Sequence, residues 1–191
     1  MFAIDLTAGA RLSALEEWHA AEFAAHMNRA REHIRPWVGP SFVTDTVEQA
    51  RATLQRYAAA TSKDGARLYG IWNAGELVGG VMFTHFDSAS GVCEVGCWLE
   101  PAAEGKRLAF LACRVLLEWA FDVRGMHRAE WRCRIDNTRS AQLAQRLGMT
   151  LEGVLRESWP VAGVHHDKQV WAILASEWRG LDNTNQDIAR P

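Results

Sequence analysis

The chain is 191 residues long, 48% hydrophobic and 23% charged, which is enough for one domain with a sizeable core. A formal net charge of -2 gives no overall attraction to nucleic acid or to an anionic membrane surface, and neither is expected as a partner. Four cysteines, Cys93, Cys97, Cys113 and Cys133, form no CxxC pair, and the opening MFAIDLTAGARL lacks the basic and long apolar regions of a secretory signal. Free thiols in a cytoplasmic protein are therefore expected, and no run of about 18 apolar residues is present to span a bilayer.

From Leu12 to Trp37 the apolar residues Phe23, Met27, Ala30 and Ile34 keep helical spacing up to Pro36, as one helix or two short ones. His19, His26 and His33 recur every seventh residue, so at about 100° per residue they stay along the edge of that stripe. They form a partly solvated edge, or one or more of them enters an acceptor cleft. Successive members lie about 10 Å apart, too far for one metal to be held by all three. TVEQARATLQRYAAA predicts a second helix, capped by Thr44 or Asp45 with Glu48 placed for a capping box.

The periodicity then changes. ARLYGIW and LVGGVMFTHF predict two strands joined by a tight glycine turn, and GVCEVGCWLE predicts another, with Cys93, Val95 and Cys97 on one face and Glu94, Gly96 and Trp98 on the other. Leu108, Leu111, Ala112, Val115, Leu116, Trp119, Ala120 and Val123 define a helix packed into the core. HRAEWRCRI alternates as a half-buried strand. DNTRSAQLAQRLG supplies a capped short helix ended by Gly148. MTLEGVLRESW and DKQVWAIL, around VAGVHH, predict a closing hairpin. Residues 1–180 are read as one domain and 181–191 as a polar, frayed tail.

The junction WLEPAAEGKRLAFLA runs from a strand through a glycine-containing loop into a helix start. Such a junction gathers unpaired backbone N–H groups at the positive end of a helix dipole and suits a phosphate or pyrophosphate. It is neither the G-x-x-x-x-G-K-S/T loop nor the G-x-G-x-x-G pattern. Taken with REHIRPWVG, GELVGGVMF, CEVGCWLEP, CRIDNTRSAQLAQRLGMTLEGVLRE and GVHHDKQVWAIL in that order, it resembles the GCN5-related N-acetyltransferases (GNAT), in their RimJ/RimL ribosomal-protein N-terminal acetyltransferase branch. The resemblance covers most of residues 11–179. It implies the GNAT fold, an α/β (α+β) fold with a mixed, mostly antiparallel central sheet of about seven strands flanked by helices, with acyl-CoA lodged where two middle strands splay apart.

In that family the loop reads Q/R-x-x-G-x-G/A and its amides hold the coenzyme A pyrophosphate. Here Ala102 replaces the first polar residue and Arg107 the second glycine, so only Gly105 matches. An arginine at 107 either hinders close backbone approach, with strain if its φ is positive, or points outward and adds charge near a phosphate, as Lys106 also could. The resemblance places Leu99, Gly105, Lys106, Arg107, Leu108, Ala109 and Asn137 along the cosubstrate, acetyl-CoA or another acyl-CoA such as succinyl-CoA.

Acyl transfer from a thioester needs a neutral amine and a stabilised thiolate. At pH 7 an α-amine is about one-tenth neutral and a lysine only about one part in 2,500, so an N-terminal amine asks far less of a base. The resemblance implies Glu94 as that base, often acting through water; a structural carboxylate on a half-solvated strand is the other reading. Trp159 stands where the RimL pattern has an acid, and Glu157 would replace it on the same face if the strand is regular. Ser140 is implied as the hydrogen-bond donor or acid near the sulfur, the alternative being a helix cap. His33, Trp37, Glu157 and Trp159 are expected around the acceptor, a peptide N-terminus or a small-molecule amine. HHD at 165–167 is too compact to supply a metal ligand set, and no metal is expected. A homodimer is expected from the resemblance. The competing function is a CoA-binding module that has lost catalysis.

Overall fold

The computed structural model describes residues 3–39, 42–161 and 163–180; the expected frayed tail, 181–191, lies outside the described residues. Eight strands form one sheet in the order β1-β2-β3-β4-β5-β6-β8-β7. They are β1 (Ala3–Thr7), β2 (Ala10–Ala14), β3 (Arg67–Asn73), β4 (Glu76–Asp87), β5 (Val92–Leu99), β6 (Arg128–Arg134), β7 (Thr150–Val161) and β8 (Val164–Leu174). Every pairing is antiparallel except β5 with β6.

The count exceeds the expected seven because the stretch expected to open a helix at Leu12 instead forms the second arm of a hairpin. Ala10 and Leu12 are buried and Arg11 is exposed, a period of two that is too short to stand out in the sequence. The first helix, α1, is a single one running Ala20–Ile34. Its buried stripe contains His26 in full, so that histidine belongs to the core face, whereas His19 and His33 stay half-buried at the edge.

Helix α2 (Val47–Thr61) starts later than its cap residues suggested. Thr46 is the N-cap, its Oγ1 accepting from the Gln49 amide at 3.2 Å, while Gln49 Oε1 accepts from the Asp45 amide at 2.7 Å. Gln49 therefore takes the place expected of Glu48, three residues after the true cap, but its side chain returns to the amide before the cap and not to that of Thr46, so the capping box is not closed. Helices α3 (Leu108–Glu118) and α4 (Thr138–Arg146) complete the set, α3 passing into a π-helical turn over Trp119–Val123.

The pleat divides the core into two layers. Phe23, Met27 and Leu54 from α1 and α2 pack on Leu68, Trp72, Met82 and Trp98, while Leu108, Ala112 and Leu116 of α3 meet Ile71, Val81, Phe83 and Val95 on the opposite face. Trp98 crosses onto β4 at Gly80, its register partner, where an added Cβ would lie 2.1 Å from the indole. The glycine pair of LVGGV is thus required for this packing. Within the α1 layer His26 Nε2 accepts from Trp98 Nε1 at 2.9 Å. This bond fixes the neutral tautomer with its proton on Nδ1, which faces Glu100 Oε2 at 3.3 Å without the alignment of a hydrogen bond.

Candidate active site

The middle of the sheet does not close. β5 and β6 pair through Val92, Cys93 and Glu94 against Arg128, Ala129 and Glu130, and then diverge, although β5 continues to Leu99 and β6 to Arg134. At that level β4 carries a bulge at Thr84, between the pairs Phe83–Val95 and His85–Glu94. A bulge bends its strand and adds twist, which turns β5 away from β6 where their pairing stops. Beyond Glu94, β5 keeps β4 on one side and leaves its other backbone edge free of strand partners.

A cavity of about 510 Å³ occupies the gap. Its walls include Leu99 and Glu94 of β5; Gly105, Arg107, Leu108 and Ala109 at the start of α3; Asn137 and Ser140 of α4; and His33, Trp37 and Trp159. Lys106 and Glu157 are not among the lining residues. The residues brought together come from both halves of the chain, so one space joins the cosubstrate and acceptor candidates.

The junction loop has the form an anion site needs. Gly105 lies at φ 76° and Arg107 at φ 60°, ψ 11°, the left-handed region on both sides of Lys106. The amides of residues 105–110 donate to no backbone carbonyl among the described residues; the first bond of the helix runs from the Leu111 amide to the Arg107 carbonyl. Arg107 therefore adopts the conformation a second glycine would take, with its guanidinium 5.5 Å from the Phe110 ring centroid. The residues present fit a pyrophosphate: free N–H groups, a helix start and a cation on the wall. Replacing Arg107 with glycine should stabilise the fold by about 0.5–1 kcal/mol, the relieved left-handed strain less the added chain entropy. The same change should weaken acetyl-CoA binding several-fold through the lost cation. Chemical denaturation and calorimetry read the two effects separately, and unchanged affinity would show that Arg107 contributes only its backbone.

Ser140 is not a cap. Asn137 caps α4, its Oδ1 accepting from the Ser140 amide at 3.1 Å, and this leaves the Ser140 hydroxyl for other work. Trp131 Nε1 donates to Ser140 Oγ at 2.9 Å, so the hydroxyl accepts from the core side and its own proton is free to point elsewhere. Such a chain polarises the hydroxyl as a donor. Cys133 lies within reach of the same hydroxyl, and burial pushes its thiol above the ordinary range. Nothing local in the sequence ties Trp131 to Ser140, because the two meet only when β6 and α4 pack together.

Around Glu94 the site is more charged than the sequence suggested. Arg132 of β6 brings its Nε to 3.4 Å from Glu94 Oε2 and its Nη2 to 2.8 Å from Glu130 Oε2. Lys168 of β8 stands with its ammonium 4.4 Å from the Trp159 ring centroid. Burial lowers the Lys168 pKa; Glu94 opposes that shift and Arg132 reinforces it. Arg132 and Lys168 were missed as site residues; the only sequence signal was the place of Arg132 on the polar face of an alternating strand. Glu157 does not replace the missing late acid. β7 slips register between Leu155 and Trp159, Glu157 itself has φ 52°, and its amide is held by Asp167 Oδ1 at 2.9 Å. The regular alternation that would align it with Trp159 is broken there.

His33 and Trp37 both face the cavity from α1 and the turn after it. His33 Nε2 lies 2.8 Å from Glu104 Oε1, which also accepts from Arg139 Nη1 at 2.7 Å, and Arg134 stacks 5.0 Å from the Trp37 ring centroid. These three contacts connect α1 and its following turn across the cleft to the loop before α3, to α4 and to the end of β6. Tyr57, distant in sequence, also reaches the wall, its hydroxyl donating to Met82 Sδ at 3.4 Å. Among the described residues no cluster of three or more His, Cys, Asp or Glu could hold a metal, and no helix is long and apolar enough to cross a membrane.

Comparison with known proteins agrees with this architecture. A putative ribosomal N-acetyltransferase YdaF of Bacillus subtilis is 25% identical over 185 residues, 94% of this chain and 99% of its own. The ribosomal-protein-serine acetyltransferase of Escherichia coli is 27% identical over 135 residues, covering 71% of this chain and 75% of its own. Among solved structures, the RimL ribosomal L7/L12 alpha-N-protein acetyltransferase in complex with coenzyme A superposes with a TM-score of 0.83 at 22% identity, over 90% of this chain and 97% of that one. The acetyltransferase (GNAT) domain family matches residues 10–150. With the splayed sheet and the anion-binding helix start already in place, the chain belongs to the GNAT acetyltransferase family and is an acyl-CoA-dependent N-acyltransferase.

Proposed function

We propose that the protein transfers an acetyl group from acetyl-CoA to the α-amine of a peptide N-terminus. The observation that carries this reading is the single cavity in which the junction loop, the free edge of β5, Glu94 and Ser140 all meet. The pyrophosphate fits the amides between Gly105 and Ala109, with Arg107 beside it. The pantetheine arm is an extended chain of amides and suits the unpaired edge of β5 up to Leu99, with the Asn137 side-chain N–H group as a further donor. Glu94 takes the proton from the attacking amine, directly or through one water. The Ser140 hydroxyl, held by Trp131, donates to the departing thiolate.

The choice of an α-amine follows from proton energetics. It needs little help to become neutral at pH 7, so one carboxylate suffices. The names of the two ribosomal acetyltransferase relatives support an acceptor of this kind. The free cysteines among the described residues support a reducing compartment, the cytoplasm.

The test is release of free thiol from acetyl-CoA over a panel of N-terminal peptides, lysine side-chain analogues and small amines. Preference for peptide α-amines is expected. In the same assay Ser140→Ala should lower kcat about tenfold to a hundredfold, with acetyl-CoA affinity retained. Equal loss of both would make Ser140 a structural residue, and acetyl-CoA binding without turnover on any acceptor would leave the chain as a CoA-binding module.

A further inference from the structure

The acceptor end of the cavity carries more N–H donors than its own carboxylates use. Lys168 forms no close ion pair among the described residues, although the charge of Glu94 reaches it, and its ammonium rests against the Trp159 ring. Arg132 commits its Nε and Nη2 to Glu94 and Glu130, while no hydrogen bond engages its Nη1 among the described residues. The Trp159 indole N–H is buried, with no acceptor among the described residues. These three side chains stand on β6, β8 and β7, which are adjacent in the sheet, and all three line the cavity beside Glu94.

A simple cationic amine approaching Glu94 would meet two like charges at this end. An amine that also carries an acid would meet a complementary pair: Glu94 opposite its nitrogen, Lys168 and Arg132 opposite its carboxylate. We propose that the acceptor is an amine bearing a carboxylate close to the reacting nitrogen, held by Lys168, Arg132 and the Trp159 indole N–H. The inference rests on the acyl-transfer reading above, though not on its choice of a peptide, and it defines the chemistry of the acceptor.

Charge balance favours a carboxylate over a doubly charged phosphate. Glu94 and Glu130 together balance Arg132 and Lys168, so these four side chains carry no net charge before the acceptor arrives. An acceptor that enters as an ammonium with one carboxylate keeps that balance, whereas a phosphate dianion beside the same ammonium leaves an excess negative charge. Pairing along β8, with Leu155 on one side and Arg134 on the other, fixes the base of the Lys168 side chain, so the cation is held in place before the acceptor arrives. The carboxylate has two sources of equal chemistry: the acidic first side chain of a peptide, or the α-carboxylate of a free amino acid.

Matched acceptors separate these from the alternative. With the full chain and saturating acetyl-CoA, thiol release is measured for peptides beginning Asp or Asn and Glu or Gln, and for free amino acids against their amides. At least about a tenfold higher kcat/KM is expected for the acidic member of one set, expressed mainly in KM. Which set responds identifies the source. Lys168→Gln should reduce that preference to about twofold or less, and Lys168→Arg should keep most of it, which controls for misfolding. Equal or better turnover of the neutral members by the unmodified protein overturns the proposal while leaving acyl transfer intact, as does a preference that survives in Lys168→Gln. Acetyl-CoA binding without turnover of any member removes the acyl-transfer reading, and the proposal falls with it.

Discussion

Glu94→Gln is expected to lower kcat for amine acetylation about 100-fold to 1,000-fold at pH 7 while changing acetyl-CoA affinity less than about twofold. The substitution keeps the size and the strand position of the side chain and removes its ability to accept a proton. Glu94 sits on the last rung of the β5–β6 pairing, at the point where the strands part, and it lines the cavity there. The loss should narrow as the pH rises past about 8, where an α-amine becomes neutral without assistance. Steady-state kinetics from pH 6.5 to about 9.5 test this. A deficit that stays constant with pH and comes with a lowered melting temperature would assign Glu94 to the ion pair with Arg132 and remove it from the chemistry.

Lowering the pH from 7 to 4 should destabilise the fold by about 3 kcal/mol through His26 alone. Burial, with Arg29 adding to it and a contact to the Leu77 backbone partly opposing, lowers the His26 pKa from 6.5 to about 4. The unfolded chain therefore takes up this proton first. The stability is fully present above about 6.5 and is lost as the pH falls towards 4. Because the residue is fully buried, solvent screening does little to reduce the effect. Protonation also removes the lone pair that accepts from Trp98, so the lining of the cavity is disturbed with the core. Urea titrations at pH 7 and pH 4 on the native chain and on His26→Gln provide the measurement. The native chain should lose more stability over that interval than the variant; equal losses would remove His26 as the acid-sensitive group.

Much of the architecture was legible because it is written in local periodicity. The unbroken apolar spacing from Leu108 onward, the alternation over residues 127–135 and the closing hairpin all reappear as elements. One side of the cavity was equally accessible, since the junction at Gly105 and the Asn137–Ser140 segment that line it are short contiguous motifs. On the other side of the cavity His33, Trp37 and Trp159 were named from the sequence, but the cations beside them were not. Lys168 and Arg132 join Trp159 only through the pairing of β6, β8 and β7, and no spacing in the sequence announces that convergence. Glu157 illustrates the opposite error: a strict two-residue period was assumed across a stretch where the strand slips register. The N-terminal hairpin escaped because a five-residue strand abutting a helix shares apolar positions with either period.

The parting of β5 and β6 gives this sheet two inner edges in addition to its two outer ones. An exposed strand edge ordinarily invites pairing with any extended chain, a route to aggregation that proteins block with charge, bulges or cover. Here the inner edges are recessed between α1 with its following turn on one side and α4 on the other, with the Glu104 and Arg134 contacts crossing between them. The gap between them holds a cavity of about 510 Å³. The recess thus supplies the cover that an open edge needs: the helices and the contacts between them shield both inner edges from a flat approach by another sheet.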